Sequence, residues 1–132
     1  MSATTATNGE VSRTSLWFGL FGGAIAWTIH FMSAYVVAEF GCVGGLGEQS
    51  YWNISLVAWL ELVLTVAAVL AAAVSTAVAY RSELRLPSGA DGAGTTPQAE
   101  RYTARAGLLT SGIFTFVILF ESIPIFFYLH RC

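Results

Sequence analysis

The chain has 132 residues, of which 55% are hydrophobic and only 11% charged, whereas a soluble domain of this size carries roughly 25% charged residues to cover its surface. Its six cationic residues are all arginine and its net charge is -2. No basic stripe with interleaved aromatics is present to read a polyanion, so nucleic acid is excluded as a partner. With a mean hydropathy of +0.65 and its polar residues gathered into a tail and two loops, the chain reads as an all-α integral membrane protein, a single three-helix bundle.

Residues 1–15 are small and polar and are expected to form a disordered tail. The first apolar run, residues 16–40, is about one bilayer's worth of helix, since spanning the hydrocarbon takes ~20 residues. It is longer than the 7–15-residue apolar core of a secretory signal, and no small-residue cleavage site closes it, so it is expected to be retained. Gly19 and Gly23 form a GxxxG pair that lets a second helix come close. At 3.6 residues per turn these glycines share a stripe with Ala26, His30 and Ala34. His30 is therefore expected to face the bundle or a partner.

Residues 41–53 form a loop with four glycines, Cys42 and Glu48, closed by Tyr51 and Trp52 as membrane-boundary aromatics. The second span, residues 54–80, carries one charged residue, Glu61, on a stripe with Thr65, Ala68, Ala72 and Ser75. Residues 81–105 mix Pro, Gly, Ser, Thr and both charges and are expected to be a flexible polar connection. The third span, residues 106–129, opens with Gly107, Ser111 and Gly112, turns aromatic, and holds Glu121 and Pro124. The proline removes a backbone donor to the Phe120 carbonyl, which predicts a kink beside the acid. No heptad pattern is apparent in any span.

Placing the N-terminus inside puts Arg13, Arg81, Arg85, Arg101 and Arg105 on the cytoplasmic side and leaves Arg131 outside. The positive-inside bias favours that arrangement, with the C-terminus outside a bacterial inner membrane. Both cysteines, Cys42 and Cys132, then lie on the oxidising side, where they either form a disulfide or remain free thiols.

Depth connects the ionisable residues. His30 lies ten residues before Phe40, Glu61 seven past Ile54 and Glu121 eight before Leu129. At ~1.5 Å per residue they sit roughly 15, 10 and 12 Å below the same boundary, with Glu39 above them. An unpaired charge at mid-membrane costs about 2.5–3.5 kcal/mol on insertion scales, so grouping is expected. The group is either a polar clasp holding the helices in register or a proton relay, or part of a site completed by a partner, a quinone or a haem. A metal site is not expected. The weak candidates are the inner set and an outer set of Glu39, Cys42, His130 and Cys132, neither of which has the close spacing of a ligand motif. Haem would need a partner's ligand, so no cofactor is expected to be held by this chain alone. No P-loop, nucleophile elbow or dinucleotide fingerprint is present, and the chain is not expected to be an enzyme.

The pattern W-F-G-L-F-G-G-A-I-A-W-T-I-H over Trp17 to His30, followed by Tyr35, Glu39 and Cys42, resembles small bacterial membrane proteins encoded beside haem–copper oxidases and other respiratory complexes. The resemblance implies an accessory or assembly subunit that packs against larger membrane subunits of an electron-transfer complex. The resemblance supplies no residue roles; from their own positions Gly19, Gly23, Gly107 and Ser111 are expected to pack helices, and His30, Glu61, Glu121 and Glu39 to clasp the helices or line a proton or quinone pocket. The alternative from another class is a small homo-oligomeric ion or proton channel.

Overall fold

A computed structural model describes residues 11–86 and 95–124 of the chain. Three long helices dominate it: α1 (Arg13–Val43), α2 (Leu56–Arg85) and α3 (Thr95–Glu121). All three are long and apolar enough to cross a membrane, and between 17% and 28% of each candidate span is buried within the bundle. Large apolar side chains instead face outward along every helix, Ile25, Ile29, Val63, Leu70, Ile113 and Phe116 among them. In water such a surface would be a severe association liability; toward lipid it is the expected one.

The seams between helices are built from small residues. On α2 the buried residues Glu61, Thr65, Ala68, Ala72, Ser75, Ala79 and Ser82 recur in alternating steps of four and three. On α1 the same steps connect Leu16, Gly19, Gly23, Ala26 and His30, and on α3 they connect Ala104, Gly107 and Ser111. This 3.5-residue period is that of a left-handed supercoil. It corrects the expectation of no heptad pattern: the repeat is written in Gly, Ala, Ser and Thr, the residues that let membrane helices approach closely, whereas a search for large apolar a and d positions passes over it.

Contact at the seam is tight enough to leave no room for a methyl group. A Cβ added at Gly23 would sit 2.6 Å from Ser111 Cα, one at Gly22 would sit 2.6 Å from Ser75 Oγ, and one at Gly107 would sit 3.0 Å from the Gly19 carbonyl. Above this crossing Ala26, Ala68, Ala72 and Ile118 form an apolar layer. Below it Leu16, Leu86 and Ala104 close the end that carries most of the arginines, with Val11 packed against them.

The connection expected over residues 81–105 is shorter than its composition suggests. Helix α2 runs on to Arg85 and α3 starts at Thr95, because Glu, Arg and Ala in both flanks are good helix formers. Pro97 falls in the first turn, where no backbone N–H is needed. Arg105 Nε donates to Glu83 Oε1 at 2.8 Å across the two flanks, an exposed pair of small energetic value. At its other end α3 is α-helical to Glu121 and gives way to a turn and 3₁₀ geometry at residues 122–124; residues 125–132, on which the expected kink at Pro124 depends, lie outside those described.

The glycine-rich loop is also more ordered than expected. After α1 come a 3₁₀ turn (Leu46–Glu48) and a short antiparallel ladder, β1 (Ser50–Tyr51) with β2 (Ile54–Ser55), in which Ser50 pairs with Ser55 and Tyr51 with Ile54. Trp52 and Asn53 at the turn have φ of 55° and 62°, the left-handed pair that a two-residue hairpin of matching twist requires. The Trp52 ring packs edge-on against Trp59, with centroids 6.3 Å apart. Ser55 then caps α2, its Oγ accepting from Ala58 N at 3.2 Å.

Replacing Gly23 with alanine is expected to cost about 1–3 kcal/mol, because the new methyl group meets backbone. Gly112→Ala, where a Cβ meets nothing within 4 Å, is expected to be neutral or to stabilise by up to about 1 kcal/mol. Unfolding in mixed micelles by increasing dodecyl sulfate, followed by helical circular dichroism, compares the two.

Candidate functional site

Two polar layers cross the bundle, and they differ in kind. The first lies at the tight crossing. Ser75 Oγ donates to the Phe18 carbonyl at 2.8 Å and lies 3.1 Å from Ser111 Oγ, which donates to the Gly19 carbonyl at 2.7 Å. Ser75 and Ser111 are completely buried. With Gly19, Gly23 and Gly107 they form one three-way junction in which each hydroxyl reaches a backbone carbonyl of α1. Its polar atoms are consumed by one another, so it offers nothing to a ligand.

The second layer lies two turns further along α1. His30 is buried, and its Nε2 is 3.0 Å from Thr65 Oγ1. Ser122 Oγ is 3.3 Å from the same Thr65 oxygen and donates to the Ile118 carbonyl at 2.6 Å. With the ring hydrogen on Nε2, that N–H donates to Thr65 and no N–H is left without an acceptor. Nδ1 is then a bare lone pair, and it is buried without a partner. Thr65 and Ser122 were not singled out as site residues in the sequence. Thr65 was readable as the residue one turn after Glu61, whereas Ser122 sits where the helix was expected to continue.

Glu61 and Glu121 stand at the same level, but they do not meet His30 through any hydrogen bond among the described residues. Glu61 is buried and makes no hydrogen bond or ion pair with them. Glu121 is exposed at the end of α3, and its Oε2 accepts from Trp27 Nε1 at 2.9 Å. Trp27 in turn packs against Phe114 with ring centroids 5.3 Å apart. The three ionisable residues share a cavity instead. It has a volume of about 600 Å³ and is lined by His30, Glu61, Glu121 and Glu39, with Phe31, Tyr35, Ala38 and Cys42 of α1, Val57 and Ala58 of α2, and Pro124. The volume falls in the range of small-molecule pockets, which combine mostly apolar walls with a few convergent polar groups.

Among the described residues the cavity is walled mainly by the last turns of α1 and the first turns of α2, with Glu121 and Pro124 at its side. Helix α1 continues past His30 to Val43 and packs at Gly41 on Val57 of α2, where a Cβ added to the glycine would come within 2.8 Å of Val57 Cγ2. The described part of α3 reaches this level with Glu121. Glu39 is exposed near the top of the wall. Cys42 is disulfide-bonded, so its sulfur is not available as a thiolate ligand; Cys132 and His130 lie outside the described residues. Among the described residues no three His, Cys, Asp or Glu side chains converge closely enough to hold a metal ion. The hairpin end also carries a small aromatic hollow formed by Tyr51, Trp52, Leu56 and Trp59.

Comparison with protein-family models, curated proteins and solved structures finds no match. The reading of the site therefore stands on its own chemistry.

The geometry separates helix-holding groups from cavity groups, and stability measurements distinguish them. Thr65→Val removes the hydroxyl shared by His30 and Ser122 and is expected to cost about 1–2 kcal/mol. Glu61→Gln breaks no contact and is expected to stay within about 0.5 kcal/mol of the parent chain. A loss at Glu61→Gln as large as that at Thr65→Val, in the same micellar unfolding titration, would return the acid to a clasp.

Proposed function

We propose that this chain is a small, non-catalytic subunit of a bacterial respiratory or electron-transfer membrane complex, contributing a polar cavity in the outer half of the inner membrane. The observation that carries the reading is the gathering of His30, Glu61, Glu121 and Glu39 on one apolar cavity, two of them without a full set of partners. Buried ionisable residues are costly within a bilayer and mark functional sites by default. His30 and Glu121 repay part of that cost with one interhelical hydrogen bond each, whereas Glu61 repays none of it among the described residues. The groups are free to exchange protons with, or bind, whatever enters the cavity.

The proposed orientation is N-terminus in and C-terminus out. It is supported by the clustering of Leu16, Leu86 and Ala104, which draws Arg13, Arg85 and Arg105 to one end. The opposite end carries Tyr51, Trp52 and Trp59, suited to the membrane–water boundary. The exposed apolar faces of α1 and α3, rich in Phe, Ile and Leu, would lie against lipid and larger subunits. A channel within a single bundle is disfavoured, because Ala72, Ser75, Ser111 and Ile118 fill the axis with no accessible surface; conduction would have to run between copies.

Gentle extraction of the native membrane, followed by mass spectrometry of what migrates with this chain, is expected to recover cytochrome or oxidase subunits. A homogeneous homo-oligomer without haem would sink the proposal. In cells, Glu61→Gln is expected to lower respiratory activity at least twofold while leaving the amount of chain in the membrane unchanged.

A further inference from the structure

We infer that the cavity binds a protonated amine carried on an apolar body. The inference rests on the cavity being a ligand site, as proposed above, and adds the chemistry of its occupant. Among the described residues three carboxyl groups, Glu39, Glu61 and Glu121, line the wall, against one imidazole and no lysine or arginine. The acids are too dispersed to ligate a single metal ion, but they surround a space large enough for an organic cation. Phe31 and Tyr35 add aromatic surface, which attracts a cation through the ring quadrupole.

Hydrogen bonding narrows the class further. His30 Nδ1 is a buried atom without a partner, and with Nε2–H committed to Thr65 it presents a lone pair. Glu61, only 7% exposed, is likewise an acceptor without a donor. With the ring hydrogen on Nε2, the two buried ionisable groups of the cavity wall, His30 and ionised Glu61, both call for hydrogen. A primary or secondary ammonium supplies several N–H donors and a positive charge, whereas a quaternary ammonium supplies charge alone. A quinone carbonyl would meet the lone pair of Nδ1 with a second lone pair. Apart from Tyr35 and Cys42, the rest of the described wall is Phe, Ala, Val and Pro, which suits an occupant with an apolar body. Binding requires the ionised carboxylate and so weakens as pH falls.

The test uses the full chain in lipid nanodiscs, with protein-free nanodiscs of the same lipid to subtract partitioning. The probes are 4-phenylbutylamine, its neutral isostere 4-phenylbutan-1-ol and decylubiquinone, titrated by calorimetry, with the ¹⁵N resonance of His30 Nδ1 followed in parallel. The expected result is binding of the amine at least tenfold tighter than the alcohol, a shift of the Nδ1 resonance, and at least a tenfold loss in Glu61→Gln. Glu61→Asp keeps the charge and is expected to retain binding within about threefold, which guards against a folding defect in the glutamine variant. Equal affinity for amine and alcohol, or full binding of the amine by Glu61→Gln, would overturn the inference. Tighter binding of decylubiquinone that ignores Glu61 would also overturn it, while leaving the subunit reading intact. Failure of the subunit reading, seen in co-extraction, would leave the nanodisc result untouched.

Discussion

Everything in this bundle follows from how closely α1 comes to the other two helices. At the junction of Gly19, Gly23, Gly107, Ser75 and Ser111 the helix backbones are separated by little more than their own atoms, and serine hydroxyls bond directly to carbonyls of α1. In lipid there is no hydrophobic gain from bringing helices together, so dispersion contacts and interhelical hydrogen bonds must supply the attraction. Small residues supply both: they maximise backbone contact and leave carbonyls within reach of a hydroxyl. The large residues are displaced to the outside, the arrangement that suits a medium as apolar as themselves.

A tight junction at one level makes an open one elsewhere informative. Above the apolar layer of Ala26, Ala68, Ala72 and Ile118 the polar side chains lengthen, from Ser and Thr to His and Glu, and a cavity opens beside them. Within a bilayer the energetic cost of such polar groups is tolerable only when they are satisfied or in use. The serine pair represents the first case. His30 Nδ1 and the Glu61 carboxyl group have no hydrogen-bond partner among the described residues.

Much of this was legible in the chain. The three helices follow from apolar length, and Gly19, Gly23, Gly107 and Ser111 announce close packing because few other residues permit it. The depth arithmetic places His30, Glu61 and Glu121 at one level, and they do share one cavity. It could not distinguish lining a common space from touching, since rise per residue gives height but not the direction of a carboxyl group. The seam repeat escaped because its residues are small, and ordinary heptad reasoning weighs size. The extent of α2 and α3 into residues 81–105 escaped because charged residues at helix ends look like loop when composition alone is read. Thr65, a plain threonine on a membrane face, gave no hint that it would bridge His30 and Ser122.

Trp27 connects these levels in a further way. Its ring lies on the aromatic stack with Phe31 and Phe114, one turn below His30, while its indole N–H is bonded to the carboxyl group of Glu121. Indole emission responds to a nearby carboxyl group and to the charge that group carries. The chain thus contains an optical reporter wired to the cavity rim, set apart from the boundary pair of Trp52 and Trp59. With those two and Trp17 replaced by phenylalanine, the remaining fluorescence would register events in the cavity directly, without a label.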